Sequence, residues 1–248
     1  DGVDIIVHLA ARVHVMDGGG SSWDEYRRLN VTGTSRLAKA AAGKKVQRFI
    51  FLSTVKVNGE ESLTPYKETD TPSPQGPYGI SKWEAERELR KIESEHGLET
   101  VILRPPLVYG PGVKANFLNM LKLVESGIPI PFASIRNRRS FVYLQNLIDA
   151  ICLCARHPEA AGSTYLVSDG RDVSIPELIQ MIASRLKSRT ALVPCPVPLL
   201  GLLGRIGGKR GEVSRLTGSL QVDISKIKNN LGWKPPHEME QGIEETVR

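Results

Sequence analysis

The chain has 248 residues, of which 40% are hydrophobic and 24% charged, a composition typical of a globular protein with a sizeable core. Its net charge of +6 comes from basic residues scattered along the sequence, with short clusters only in residues 136–140 and 208–215. No zinc-finger spacing, RNA-recognition signature or stripe of interleaved basic and aromatic residues accompanies this charge. The pattern therefore disfavours nucleic-acid binding and favours small phosphorylated ligands.

Cysteine content and hydropathy further restrict which class of protein this sequence can encode. Cys152, Cys154 and Cys195 leave one thiol over after any pairing and lack the spacing of metal ligands. This predicts buried free thiols in a reducing cytoplasm and no metal site. The most apolar run, residues 191–208, contains three prolines and ends in glycines. We predict that it does not span a membrane and expect no membrane partner.

Short apolar runs alternate with helical periodicity from the first residue onward. Residues 1–11 ("DGVDIIVHLAA") predict a buried strand, residues 22–45 a helix, and residues 46–54 ("VQRFIFLST") a second strand. A helix over residues 81–97, with Gly97 as its stop, and a strand over residues 98–106 continue the pattern. This order predicts βαβ units in an α/β fold with a parallel sheet and helices on both faces.

Small and polar residues follow the predicted strands. Ala10 and Ala11 end the first strand, Ser53 and Thr54 the second, and Pro105 the third. Because chemistry in such sheets collects at the carboxyl ends of the strands, we expect these residues to border one site. A further strand over residues 163–169 is followed by a helix and a Pro- and Gly-rich passage, which we interpret as a smaller appended lobe.

The stretch "GPYGISKWEAE" places Tyr78 and Lys82 four residues apart at the mouth of a helix, on one helix face. A tyrosine is a poor base at neutral pH because its pKa is near 10, and lowering that pKa by about three units takes roughly 4 kcal/mol. A neighbouring ammonium, a helix N-terminus and a cationic nicotinamide could supply this. Taken alone, the pair fits a surface tyrosine and lysine better than a catalytic base.

The surrounding motifs resemble the extended short-chain dehydrogenase/reductase superfamily, in particular its NAD-dependent nucleotide-sugar epimerases and dehydratases. The matching stretches are "HLAA", "FLSTVKVNG", "PYGISK", "LRPPLVYGPG", "RSFVYLQNLIDAI" and "LGWKPP", and they cover essentially the whole chain. The resemblance implies a Rossmann-like doubly wound parallel sheet with a smaller C-terminal substrate lobe. Residues 1–168 would be the remainder of the dinucleotide-binding domain and residues 169–248 the lobe, with residues 106–138 contributing to the substrate site.

The resemblance also implies roles for individual residues. Tyr78 would be the general acid/base, Lys82 its pKa partner and a ligand of the nicotinamide ribose, and Thr54 the hydroxyl that bonds the reacting sugar oxygen. With Tyr78 and Lys82, the residues implied to border NAD, with NADP not distinguished, are Ala10, Ala11, Asn30, Ser53 and Pro105. The residues implied to bind a UDP-sugar are Asn116 and Phe117 beside the base, and Arg139 and Arg215 at the diphosphate.

Several features depart from the family pattern. The Gly-rich dinucleotide loop is absent because the sequence opens around the family's fourth strand, and glycines 18–20 do not replace it. We therefore expect an N-terminally truncated chain that does not bind NAD in the usual way by itself. Leu107 and Asn58 stand where many relatives have Asn and Tyr.

Residues after Thr54 bear on the reaction. A 4,6-dehydratase would need an acidic pair there, and Val55 and Lys56 occupy the positions. We favour a 4-epimerase of the UDP-glucose or UDP-N-acetylglucosamine type that acts through a transient 4-keto sugar in polysaccharide biosynthesis. The alternative is a reductase of a UDP-4-keto-6-deoxy sugar. A non-catalytic dinucleotide-binding sensor or scaffold is a further alternative, which the presence of both Tyr78 and Lys82 disfavours.

Association is expected from the same helices. In the family, dimers form through a bundle of two helices from each protomer. The corresponding apolar stripe here would include Leu37, Ala85, Leu89 and Ile92, and a homodimer is expected for the complete enzyme.

Overall fold

Four of the apolar runs form a parallel sheet, in agreement with the predicted alternation. The structure is a computed structural model that describes residues 2–13, 23–206, 208 and 210–248; glycines 18–20 lie outside the described residues. The strands of the sheet, in the order β1-β2-β3-β6, are β1 (Ile5–His8), β2 (Arg48–Leu52), β3 (Glu99–Arg104) and β6 (Thr164–Leu166).

Helices cover both faces of this sheet, as the predicted α/β fold requires. On one face lie α1 (Trp23–Tyr26), a π-helix (Arg27–Gly33), α2 (Thr34–Gly43) and α3 (Gly76–His96); on the other lie α5 (Leu144–Arg156) and α9 (Ser225–Leu231). α3 ends at Gly97, whose positive φ of 70° is the left-handed conformation that glycine adopts most readily. The predicted helix stop at this residue is confirmed.

The apolar side chains of α3 face the sheet. Ala85, Leu89 and Ile92 are at most 1% exposed and pack in one core with Phe49 and Phe51 of β2. The expectation that these three residues form a dimer surface is therefore wrong, because their helix uses that stripe to cover its own sheet. Leu37 on α2, by contrast, remains exposed.

A second, smaller sheet lies beside the first, with β4 (Leu107–Tyr109) parallel to β5 (Arg139–Tyr143) and β5 antiparallel to β7 (Asp172–Val173). The remaining helices are α4 (Ala115–Glu125), α6 (Ile175–Leu186), α7 (Val197–Ile206), α8 (Arg210–Thr217) and α10 (Met239–Val247), with short 3₁₀ helices at Val55–Val57 and Pro158–Ala160. α6 begins with a capping box between Ser174 and Glu177.

The hydrophobic cores do not divide at a single point of the sequence. The second core joins Tyr109, Phe117 and Phe141 to residues of α6 and α10. Conversely, Ile227 of α9 and the following Trp233 pack on the large sheet. The division expected at residue 168 is thus crossed in both directions.

Two further sequence predictions concern the burial of the cysteines and the most apolar run. Cys154 and Cys195 are buried free thiols, but Cys152 is exposed on α5, contrary to the expectation that all three are buried. No helix within the described ranges is both long and apolar enough to cross a membrane.

Candidate active site

The first two turns of α3 carry the tyrosine and the lysine. Gly76 has φ 69°, a conformation that turns the chain into the helix. Pro77 follows in the first turn, where a backbone N–H would have no partner within the helix, so the missing N–H of proline costs no hydrogen bond. Tyr78 is therefore in the first turn, and Lys82 lies one turn further along the same face.

Burial controls the ionisation of both groups. It raises the pKa of Tyr78 to about 12. Lys82 is only 1% exposed, and its ammonium lies 3.9 Å from the centroid of the Phe51 ring. Burial lowers the pKa of Lys82 to about 7, an effect that the charge of Glu86 opposes. Without ligand, the phenol is therefore protonated at neutral pH, because desolvation outweighs the charge effect that we considered from the sequence.

Thr54 is held against the start of α3. It ends the segment after β2 and caps the 3₁₀ helix Val55–Val57, where its Oγ1 accepts a hydrogen bond from the Lys56 N–H at 3.3 Å. A Cβ on Gly79 would lie 3.0 Å from the Lys56 carbonyl oxygen, a tight contact, so glycine favours this close approach of the first turn of α3. The sequence thus brings Thr54 and Tyr78 onto neighbouring turns.

A buried ion pair behind these residues was missed by sequence reasoning. Glu86, one turn beyond Lys82, accepts hydrogen bonds from Arg104 at 3.0 Å (Nε to Oε1) and 2.5 Å, and from the Ser53 hydroxyl at 2.5 Å. Arg104 also donates to Asn58 Oδ1 at 3.0 Å. The only sequence signal was a glutamate four residues after Lys82 and an arginine at the end of a buried strand. The Ser53 hydroxyl is engaged in this network rather than free for a ligand.

Asn30 connects α3 to the segment after β1 through hydrogen bonds. It lies in the π-helix, is 1% exposed, and exchanges two hydrogen bonds with the backbone of Arg12, one accepted at 2.7 Å and one donated at 3.0 Å. Its side-chain amide also donates to the Ser81 hydroxyl at 3.0 Å. π-Helical turns often occur at functional sites, and this one places a buried amide between two elements of the candidate site.

The remaining residues implied to border a cofactor lie at strand ends. Ala10 is exposed and Ala11 is half-buried after β1, whereas Pro105 is buried, and its carbonyl accepts a hydrogen bond from the Val55 N–H at 2.9 Å. Among the described residues, Tyr78 and Lys82 have no hydrogen-bond partner for their polar ends. Small residues at the sheet edge and two free donors fit the ribose and nicotinamide end of a dinucleotide.

A cavity of about 620 Å³ opens in front of Tyr78. Its wall includes Lys56, Glu60, Tyr66, Tyr78 and, from α8, Arg215. This cavity is large enough for a nucleotide-sized ligand. The structure therefore brings Tyr78 and Arg215 to one space, although they are 137 residues apart in the sequence.

The other residues implied to contact substrate have different surroundings. Arg139 donates hydrogen bonds to the carbonyl oxygens of Arg215 at 2.7 Å and Gly218 at 2.9 Å, and burial lowers its pKa. Phe117 is buried in the second core and stacks on Tyr109 with 5.4 Å between ring centroids, while Asn116 beside it is exposed on α4. Among these residues only Arg215 lines the cavity.

Comparison with known proteins identifies the family. Residues 1–168 match the model of the NAD dependent epimerase/dehydratase family. The chain is a member of that family. It is 47% identical to a UDP-glucose 4-epimerase of Vibrio cholerae, over 98% of this chain and 76% of the relative.

Two other members are informative. The chain is 29% identical to the N-acetyl-alpha-D-glucosaminyl-diphospho-ditrans,octacis-undecaprenol 4-epimerase of Escherichia coli O157:H7, over 100% of this chain and 77% of the relative. The crystal structure of UDP-glucose 4-epimerase from Thermotoga maritima with UDP-glucose matches with a TM-score of 0.77 at 24% identity, over 98% of this chain and 76% of that chain. The latter supports the Rossmann-like fold. Membership makes the protein an NAD-dependent enzyme.

Proposed function

We propose that the protein is a UDP-sugar 4-epimerase of the UDP-glucose or UDP-N-acetylglucosamine type. The observation that carries the proposal is the position of Tyr78 at the wall of the 620 Å³ cavity, with Lys82 buried one turn behind it and Thr54 on the adjoining turn. The name of the Vibrio cholerae relative supports the same reaction.

The chain's own residues move the proton. When bound, NAD supplies the hydride acceptor and donor at the sugar C4. Tyr78 takes the proton of the C4 hydroxyl and later returns it to the 4-keto oxygen, while Thr54 orients that oxygen by a hydrogen bond. Protonated Lys82 stabilises the phenolate by its charge and donates to the ribose. The cavity gives the 4-keto sugar room to rotate, so that the hydride can return to the opposite face of C4.

The diphosphate is assigned to the side of the cavity formed by α8. Arg215 lines the cavity and is exposed, so its guanidinium can meet an anionic ligand. Arg139 donates a hydrogen bond to the Arg215 carbonyl oxygen at 2.7 Å. We therefore assign Arg139 two roles, which are to position Arg215 and to contact the diphosphate directly. Asn116 and Phe117 remain proposals for the nucleotide-base side.

Assembly and location belong to the same proposal. Leu29 and Leu37 are exposed on the π-helix and α2, and they offer an apolar surface for a homodimer. We also place the enzyme in the cytoplasm, where its three free thiols stay reduced, and in the biosynthesis of polysaccharides.

A second substrate class presents the same chemistry. The Escherichia coli relative is named for a sugar diphosphate carried on undecaprenol, in which the sugar and diphosphate resemble those of a UDP-sugar. The residues assigned to sugar and diphosphate, Tyr78, Thr54 and Arg215, would serve both substrates, and the part beyond the diphosphate would decide between them.

The test is an assay of the complete enzyme, purified with its bound NAD. UDP-glucose and UDP-N-acetylglucosamine are incubated without added reductant, and the C4 configuration is followed by proton NMR. We expect interconversion that Tyr78→Phe abolishes. The matched control Tyr165→Phe, which alters a buried hydroxyl bonded to the Glu159 carbonyl away from the cavity, should retain activity.

Two results would change the assignment. Stoichiometric NADPH oxidation with a 4-keto sugar nucleotide, without interconversion, would identify a reductase. Cofactor binding without either reaction, and unaffected by Tyr78→Phe, would identify a sensor or scaffold.

A further inference from the structure

The helix α7 exposes an apolar face. It buries Leu200 against the protein but leaves Leu199, Leu202 and Ile206 45%, 53% and 76% exposed. These three residues are spaced three and four apart, so they lie on one side of the helix, and we call them the α7 face. A run of large exposed aliphatic side chains on one helix is typical of an interaction site.

Positive charge adjoins this face. Between residues 205 and 215 the sequence has four basic residues, Arg205, Lys209, Arg210 and Arg215, against the single acid Glu212. Arg205 is on α7 itself and is exposed. Exposed leucine and isoleucine beside an arginine supply the two contributions that bind a helix to an anionic membrane interface, which are burial of apolar area and electrostatic attraction.

Its length suits lying on a bilayer and not crossing it. Ten residues of α-helix extend about 15 Å, half the thickness of the hydrocarbon core. Two copies of this chain paired through the α7 face would bring their Arg205 side chains, which are exposed on this helix, toward one another, and this like-charge contact disfavours a dimer through this surface.

The α7 face lies next to the candidate active site. α7 packs against α8, and α8 contributes Ser214 and Arg215 to the wall of the 620 Å³ cavity. A bilayer that bound α7 would therefore lie beside the diphosphate side of the cavity.

We propose that α7 docks the protein on an anionic membrane surface. The α7 face enters the boundary between headgroups and acyl chains, and Arg205 contacts the lipid phosphates. The docked enzyme then meets sugar diphosphates that are carried on a lipid. This last step rests on the proposed function, whereas the docking does not.

Vesicle co-sedimentation of the NAD-loaded protein tests the docking. We expect binding to phosphatidylglycerol vesicles, weaker binding to phosphatidylcholine vesicles, and a decrease with salt. The double substitution Leu202→Glu and Ile206→Glu should lower the partition onto phosphatidylglycerol by about tenfold or more. Ile148→Glu, which places the same charge on a 42% exposed aliphatic position of α5, should leave it unchanged.

The outcomes separate the two proposals. Sedimentation does not depend on catalysis, so a failed epimerase assay leaves this test valid, and the double variant should interconvert UDP-sugars in buffer as fast as the parent. The docking proposal is overturned by no vesicle binding, by equal binding of the double variant, or by an equal loss in Ile148→Glu. A shift of the double variant from dimer to monomer in light scattering would also overturn it, in favour of a subunit interface.

Discussion

Arg104→Met tests the buried ion pair behind the candidate active site. The Glu86 and Arg104 side chains are 2% and 5% exposed, so neither can turn to water when its partner is removed. The substitution deletes both guanidinium bonds to the Glu86 carboxylate and the bond to Asn58, and leaves Ser53 as the remaining donor to the carboxylate.

The magnitude follows from the cost of an unpaired buried charge. Breaking a buried pair by removing one partner typically costs about 3 to 5 kcal/mol of unfolding free energy. Replacing both partners with apolar residues removes the charge, so Arg104→Met with Glu86→Leu should lose only about 1 to 3 kcal/mol, for the unpaired Ser53 and Asn58 groups. Arg27→Met, which breaks a half-exposed pair with Glu84, should cost less than about 1 kcal/mol.

Urea unfolding followed by circular dichroism measures these three variants and Glu86→Leu alone, which completes the double-mutant cycle. The reasoning requires that the double variant be more stable than Arg104→Met, with a coupling free energy of at least about 2 kcal/mol. Equal losses in Arg104→Met and Arg27→Met, or a double variant less stable than the single one, would refute it.

Three further predictions use the same assay. The pKa of Lys82 is lowered to about 7, so above that pH the unfolded chain binds more protons than the folded one. The cost of burying Lys82 therefore shrinks as pH rises, by up to about 1.4 kcal/mol per pH unit. Lys82→Met should therefore gain stability relative to the parent at pH 7, and the gain should shrink at pH 9; a gain independent of pH would contradict this. Asn30→Ala should lose about 1 to 3 kcal/mol of unfolding free energy, since it leaves two backbone groups of Arg12 unpaired. An unchanged urea midpoint would show that these two hydrogen bonds do not stabilise the fold. Gly242→Ala places a Cβ 2.8 Å from the Tyr109 hydroxyl oxygen and from a Tyr143 ring atom, so we expect a loss of about 1 to 3 kcal/mol, and a neutral result would show that α10 can shift.

Local signals in the sequence were sufficient for much of the fold. The four strands of the main sheet, the Gly97 helix stop and the placement of Tyr78 and Lys82 on one helix follow from periodicity and capping, which depend on neighbouring residues. The sequence could not distinguish an apolar stripe that faces its own sheet from one that faces a partner, and Leu89 was therefore misplaced. Both uses require the same spacing.

Contacts between distant elements were the part that sequence reasoning missed. Glu86 and Arg104 lie on a helix and a strand, and their pairing depends on how these elements pack. Asn30 was selected from a motif, but its place in a π-helix has no marker in the local sequence. The rise in the pKa of Tyr78 without ligand also has no marker in the sequence, since burial is a property of the packed protein.

This shift changes how the base must be activated. From a pKa of about 12, ionisation of Tyr78 near neutral pH takes five units, or about 7 kcal/mol, compared with the roughly 4 kcal/mol needed from an unperturbed tyrosine. Lys82, with a pKa of about 7, is only about half charged there, so it cannot supply this alone. The phenol should therefore stay protonated until ligands add positive charge or order the site. An ultraviolet difference titration of the ligand-free protein against Tyr78→Phe should show the Tyr78 phenolate only above about pH 11, and in the NAD-loaded complete enzyme the phenolate should appear at lower pH. A phenolate near pH 7 without ligand would mean that the charge of Lys82 outweighs burial.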